Sequence, residues 1–294
     1  MENLEGKVAF ITGGASGIGF GMASAFLKSG IKVAIGDIAG ERVRRASDKL
    51  KEISEDIVSL TVDTASENSL RRAAEEIEAR FGNIHIVCNN AGIGGGRRFL
   101  DTSMERWHRV IDVNFWGVLH GINVFLPRLL EHGEGGHIVN TSSFSGIVGH
   151  HSQSCYGTSK FAVVGMTEYL RNDLEKDNVS ASVLCPHIVD TPIYYPDVAD
   201  ADQVTIEKYK KDLEEKAAEI EAIQNSKRDF SGRSGTGDMS KFGKEFLQAK
   251  VLGAITGKIV SGIVNEEKTN LDLSPYSSSR SVSYTHLRAH ETPE

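Results

Sequence analysis

Short runs of β-branched and apolar residues alternate with longer segments of helical period over most of the chain. The runs at 7–12 (KVAFIT), 31–36 (IKVAIG), 57–62 (IVSLTV), 84–88 (IHIVC), 136–141 (GHIVNT) and 179–185 (VSASVLC) predict six strands. Helical spacing fills the intervals near 17–29, 40–53, 66–81, 103–131 and 153–176. Near-continuous apolar strands joined by helices imply βαβ crossovers and a parallel sheet buried on both faces. The expected class is α/β, a doubly wound parallel sheet of six or seven strands with helices on both faces. A seventh strand would be 258–264 (KIVSGIV), residues that equally suit the end of a helix. No repeat or proline-rich linker interrupts the first 190 residues, so a single domain is expected over 1–268.

Residues 193–257 break the rhythm. Ile206, Tyr209, Leu213, Ala217, Ile220 and Ile223 recur at steps of three and four, a polar Gly/Ser stretch follows over 226–240, and a second helical pattern covers 242–255. The segment leaves the carboxyl end of the sixth strand, the edge at which open α/β sheets bind ligands. It reads as a lid over substrate, or else as a solvated insertion or oligomer contact. Residues 269–294 form a poorly specified tail. Within it, 282–292 (VSYTHLRAHET) matches the translation of a sequencing-library transposase adapter and is expected to be an artefact, which resequencing the source locus would check.

With 39% hydrophobic and 25% charged residues among 294, the chain can fold around a large core. Acids outnumber bases 40 to 33, a net charge of −7, which argues against nucleic acid and anionic lipid as partners. No uninterrupted apolar run nears the roughly 20 residues of a membrane helix. The acidic start Met1-Glu2-Asn3-Leu4-Glu5 does not read as a signal peptide, and Cys88, Cys155 and Cys185 lie too far apart for a CxxC pair. These features suit a reducing cytoplasm and no bound metal.

The first strand delivers Thr12-Gly13-Gly14-Ala15-Ser16-Gly17-Ile18-Gly19 directly into a helix. Gly13 can turn tightly, Gly17 lets backbone approach a phosphate, and Gly19 allows close helix–strand packing, with the helix's positive end facing a pyrophosphate. Asp37 closes the second strand, 18 residues after Gly19. A carboxylate there accepts adenosine ribose hydroxyls and repels a 2′-phosphate, and neither Ser16 nor Ile38 offers a compensating cation, so NAD is favoured over NADP. Capping the next helix is an alternative, compatible role for Asp37.

Tyr156 and Lys160 are four apart and share a helix face, and Ser143 lies 13 residues before Tyr156, just past the fifth strand. A free tyrosine titrates near 10, so a base at neutral pH needs a nearby cation, the part Lys160 would take by lowering the Tyr156 pKa.

Taken in order, Thr12–Gly19, Asn89-Asn90-Ala91-Gly92, Asn114, Ser143 and Tyr156/Lys160 give a chain that closely resembles the short-chain dehydrogenase/reductase family over about residues 4–192. The resemblance implies a Rossmann-like fold and exchange of a secondary alcohol with a ketone through NAD(H) or NADP(H). It makes Tyr156 the general acid/base and has Ser143 bond the substrate oxygen. It also has Lys160 hold the nicotinamide ribose and Asn114 fix a proton-relaying water. It implies cofactor contacts from Gly13, Ser16, Gly17, Ile18 and Gly19, from Asp37, from Asp63 and Thr64 near the adenine, from Asn90, Ala91 and Gly92, and from Tyr156 and Lys160 themselves. The segment Pro186-His187-Ile188-Val189-Asp190-Thr191-Pro192 adds Pro186, Val189 and Thr191, the last on the nicotinamide carboxamide. His187 stands where the family commonly has glycine, either narrowing the pocket or pointing to solvent. The resemblance further suggests a homodimer or homotetramer, with helices around 103–131 and 153–176 at an interface.

Other residues read as structural: Ser142, Cys155, the aromatic set Trp107, Phe115, Trp116 and Phe125, and the glycine-rich 94–98 loop. His150 and His151 either line the pocket or lie on the surface. The competing function is a non-catalytic dinucleotide-binding or regulatory protein, which would need neither Tyr156 nor Ser143.

Overall fold

The computed structural model describes residues 4–194 apart from Gly96, His150, Ile188 and Asp190, together with Lys211. The seventh-strand segment, nearly all of the lid and the adapter-like tail lie outside the described residues.

Six parallel strands form one sheet: β1 Val8–Thr12, β2 Lys32–Asp37, β3 Ile57–Thr61, β4 Ile86–Asn89, β5 Gly136–Thr141 and β6 Val179–Leu184. The order is β3-β2-β1-β4-β5-β6, as expected for a doubly wound Rossmann-like sheet. The connecting helices are α1 Gly17–Lys28, α2 Gly40–Leu50, α3 Glu67–Phe81, α4 Met104–Ile111, α5 Gly117–Glu131 and α6 Ser154–Asp173.

Strand alternation splits the core into two layers. Val8, Phe10, Ala34, Val87 and Ile138 face Leu70, Ala74, Phe125 and Val163 of α3, α5 and α6. Ala9, Ile11, Val33, Ile35 and Ile86 face Met22, Phe26, Val43 and Leu50 of α1 and α2. A strand covered on both faces has no polar side to show, so β1 is buried at every position.

The segment expected as one helix over 103–131 is interrupted. Between α4 and α5, Asp112–Trp116 forms a π turn, in which the Gly117 N–H bonds to the Asp112 carbonyl. Within the joined helix Met104–Glu131 an 18-residue window reaches a mean hydropathy of 1.2, so by length and composition alone the segment is long and apolar enough to cross a membrane. Here Val110, Val118, Ile122, Phe125 and Leu129 are buried in the protein.

The strand order reverses between β1 and β4, which opens a crevice at their carboxyl ends. Every residue considered next sits on that edge or on a helix facing it.

Candidate active site

The loop leaving β1 is shaped for a close approach by something other than side chains. Gly13 has φ +64°, and a β-carbon there would lie 2.9 Å from the Ala91 Cα. A β-carbon on Gly19 would lie 2.2 Å from the Gly13 carbonyl oxygen, so α1 is packed against the end of β1 as only glycine permits. Gly17 has φ +53°, and its missing β-carbon would meet Thr191 Cγ2 at 2.7 Å, which brings the segment after β6 over the glycine loop. Ser16 stands at the N-cap of α1 without a side-chain cap, leaving first-turn N–H groups for an anion.

Asn90 ties three strands together. Its Nδ2 donates to the Thr12 carbonyl at 3.0 Å, and its Oδ1 accepts from Thr141 Oγ1 at 3.2 Å. Thr12 Oγ1 accepts from the N–H groups of Asn90 at 2.9 Å and Ala91 at 3.0 Å, fixing the β1–β4 crevice. At the end of β2, Asp37 is buried, and its Oδ1 accepts the Ala39 N–H at 3.0 Å, next to Ile38, which is 69% exposed. The bond falls on the N-cap residue of α2, so the capping role is met in part and acceptor positions remain for ribose. Asp63 is exposed with Oδ1 on the Ala65 N–H at 3.0 Å, and Thr64 is buried beside it. This cradle fits a dinucleotide.

The reactive groups gather at the neighbouring ends of β4, β5 and β6. Ser143 starts the turn after β5 in extended conformation, where its Oγ accepts the Ser145 N–H at 3.2 Å and stands near enough to the Tyr156 phenol to pull its pKa down. One helical turn beyond Tyr156, Lys160 is buried, donating from Nζ to the Thr141 carbonyl at 2.9 Å and standing 5.6 Å from the Tyr156 ring centre. Asn114, carried inward by the π turn, accepts the Ile93 N–H at 2.9 Å and donates to the Ile93 carbonyl at 3.0 Å and to Ser159 Oγ at 3.2 Å. Its Oδ1 and Lys160 Nζ approach the same point: a β-carbon on Gly92 would lie 3.3 Å from the first and 3.5 Å from the second.

Burial dominates the electrostatics. It brings the Lys160 ammonium down to about 8, opposed by Cys185 nearby. It also raises the Tyr156 phenol above its ordinary value, and the Ser143 hydroxyl beside it pulls the other way. The lowering of Tyr156 expected from Lys160 is not what the chain alone produces. Lys160 lies against the ring and spends a hydrogen bond on a carbonyl, while the phenol loses water. Tyr194, in the one described stretch of the lid, is pushed up to about 12 by burial and by the Tyr156 phenol beside it.

Residues read as structural behave so. Ser142 Oγ donates to the Lys160 carbonyl at 2.8 Å, and Cys155 Sγ is buried on the Gly95 carbonyl at 3.4 Å. His187 is exposed and packs on the Phe144 ring, 4.9 Å between centres, which favours the solvent-facing alternative. Pro186 accepts the Phe144 N–H through its carbonyl at 2.8 Å, and Val189 is buried. Sequence reasoning passed over Thr12, Ser159 and the Thr141 carbonyl. Ser159, three residues after Tyr156 on one helix face, was open to discovery by spacing; a backbone carbonyl carries no such signal.

Known proteins are similar to this chain in sequence and fold. The family profile for short chain dehydrogenases matches residues 7–225. A 1-deoxy-11-beta-hydroxypentalenate dehydrogenase of Streptomyces avermitilis is 36% identical over 193 residues, 65% of this chain and 72% of the relative. A C alpha-dehydrogenase of Sphingobium sp. strain SYK-6 is 33% identical over 210 residues, 71% of this chain and 67% of the relative. A short chain dehydrogenase/reductase from Burkholderia phymatum, solved in complex with NAD, has a TM-score of 0.71 at 27% identity over 91% of this chain and 88% of its own. Profile, relatives and fold lead to one conclusion: the chain belongs to the short-chain dehydrogenase/reductase family of NAD(P)-dependent oxidoreductases acting on alcohols and ketones.

Proposed function

We propose that the protein is an NAD-preferring secondary-alcohol dehydrogenase or ketoreductase in which Tyr156 exchanges a proton with the substrate oxygen. The observation that carries this reading is the convergence of Ser143, Tyr156, Lys160 and Asn114 beside the glycine loop. Gly13, Ser16, Gly17, Ile18 and Gly19 hold the pyrophosphate, Asp37 the adenosine ribose, Asp63 and Thr64 the adenine side. Asn90, Ala91, Gly92, Pro186, Val189 and Thr191 enclose the nicotinamide half. A nicotinamide held by these residues would supply the hydride acceptor for the carbinol carbon.

Ser143 orients the substrate oxygen on the Tyr156 hydroxyl. Lys160 holds the nicotinamide ribose and, with Asn114 across Gly92, passes the proton from Tyr156 towards solvent. Burial of Tyr156 excludes water from the reacting oxygen, and Tyr194 begins a lid over 193–257 on one domain spanning 1–268. The hydroxypentalenate named for the streptomycete relative supports a small hydroxyl-bearing substrate here too. Exposed Trp116, Leu130, Phe161 and Tyr169 on the π turn, α5 and α6 support a homodimer or homotetramer. The setting proposed is cytoplasmic.

The test is turnover of a panel of secondary alcohols with NAD and NADP, for the parent and for Asp37→Ser/Ile38→Arg. The expected result is a preference for NAD that the double variant reverses by about tenfold or more, since a cation replaces a carboxylate at the 2′ position. Equal use of both cofactors by the parent would remove Asp37 from the account.

A further inference from the structure

Three consecutive residues at the end of β5 grip one turn of α6. The Thr141 carbonyl accepts from Lys160 Nζ at 2.9 Å, Ser142 Oγ donates to the Lys160 backbone carbonyl at 2.8 Å, and Ser143 stands by Tyr156, one turn before Lys160. One lysine is thus held by its side-chain end and by its backbone. The two bonds differ in what they fix. A lysine stem is long and rotatable, so the Thr141 bond alone lets the backbone of α6 shift. A serine hydroxyl lies one bond from its β-carbon, so the Ser142 bond ties backbone to backbone.

Ser142 itself cannot move. It is buried, and its N–H donates to the Leu184 carbonyl at the end of β6 at 2.8 Å. The turn that begins at Ser143 closes directly over the Ser142–Lys160 bond: a β-carbon on Gly146 would meet Ser142 Oγ and lie 2.7 Å from the Lys160 carbonyl oxygen. That turn is pinned in its own right, with the Gly146 N–H on the Ser143 carbonyl and the Phe144 N–H on the Pro186 carbonyl, both at 2.8 Å. The bond is not there to satisfy an orphaned acceptor. Lys160 lies inside α6, where the Val164 N–H is the regular helical partner of its carbonyl.

We infer that Ser142 is a positioning residue for the reaction: by bonding the Lys160 carbonyl it sets where α6 stands against β5, and so how closely Ser143 approaches the Tyr156 hydroxyl. The inference rests on the alcohol–ketone reading above and adds a residue that acts only through its neighbours. Without the Ser142 hydroxyl, Lys160 keeps its bond to the Thr141 carbonyl while the backbone of α6 is released. Tyr156 then stays buried, which raises its phenol, and loses the nearby Ser143 hydroxyl that opposes the rise.

Two readouts separate positioning from packing. In the first, meta-fluorotyrosine is incorporated into the full chain, the Tyr156 fluorine resonance is assigned by its loss in Tyr156→Phe, and its shift is followed against pH. Ser142→Ala is expected to raise the midpoint by about half a pH unit. The titratable neighbours Lys160, Tyr194 and Cys185 are the same in both proteins. In the second, kcat for a secondary alcohol is compared among the parent, Ser142→Ala, Ser143→Ala and the double variant. The Ser142 change is expected to lower kcat about tenfold in the parent and less than about twofold in Ser143→Ala, because nothing is then left to position. Binding of NADH checks that each variant is folded. Should Ser142→Ala fail that check, Ser142→Cys, a weaker donor in the same place, is expected to move both readouts in the same directions. An unmoved midpoint, or equal losses of kcat in the two backgrounds, overturns the inference. A raised midpoint with no NAD-linked turnover of any alcohol by the parent would support the positioning and count against the dehydrogenase reading instead.

Discussion

Lys160 shows what the proposed catalytic role costs the fold. Its ammonium is fully buried, and burial outweighs the help of Cys185 and of the Thr141 carbonyl, taking it from 10.5 to about 8. The folded-state value is depressed, so below about pH 8 both states carry the proton and the folded one bears the whole desolvation penalty. Between that pH and 10.5 the folded lysine sheds its proton first, and stability rises. Lys160→Met should therefore abolish NAD-linked turnover while stabilising the protein at neutral pH by about 1–3 kcal/mol. Urea unfolding of the two proteins at one pH reads the difference. A lower midpoint for the variant would mean that the Thr141 bond more than offsets burial.

At the scale of elements, close helix–strand contact sets the geometry. Asn89 Nδ2 donates to Asn140 Oδ1 at 2.9 Å, but Asn89 Oδ1 is buried without a hydrogen-bond donor. A β-carbon on Gly121 would lie 2.0 Å from that oxygen, so α5 approaches β4 with its α-carbon against the amide. Gly121→Ala should push α5 from the sheet or break the Asn89–Asn140 bond, at about 2–4 kcal/mol in chemical unfolding. An unchanged midpoint would show that α5 can slide freely.

The same elements show how far the sequence could be read. All six strands lie within two residues of their expected positions: β1, β2 and β4, buried at all or all but one position, write apolar runs, while the edge strands β3 and β6 are marked by their β-branched residues. Glycines 13, 17 and 19 announced their turn because few other residues fit it. The π turn at Asp112–Trp116 left no mark, since one extra residue in a helical turn barely shifts a hydrophobic stripe, yet it is what carries Asn114 to Ile93. The Tyr156 shift was misread for a related reason: spacing places Lys160 on the same face but does not say that its Nζ bonds a carbonyl.

Over the whole molecule, buried histidines set the acid limit of stability. His137 lies between Ser180 Oγ at 2.8 Å and Ser182 Oγ at 2.9 Å, and burial takes it down to about 4. His85 accepts the Val8 N–H on Nδ1 at 3.2 Å and is lowered by burial, against the opposing hydrogen bond with Glu134. Both folded values lie below the unfolded 6.5, so as pH falls from there toward 4 the unfolded chain takes up protons that the folded one refuses. Tm should decline steadily across that window. His137→Gln should flatten the decline by up to about 1.4 kcal/mol per pH unit; a slope equal to the parent's would remove His137 as a cause.

The central claim is hydride transfer at a carbon whose oxygen Tyr156 serves. Its most direct test is isotopic: a secondary alcohol deuterated on its carbinol carbon is incubated with NAD and the parent protein, and with Tyr156→Phe, and the reduced cofactor is examined by mass spectrometry. Deuterium should appear in NADH with the parent, and the variant should still bind NADH yet transfer no label. Labelled NADH formed at equal rates by both proteins would contradict the account, because Tyr156 would then have no part in moving the proton.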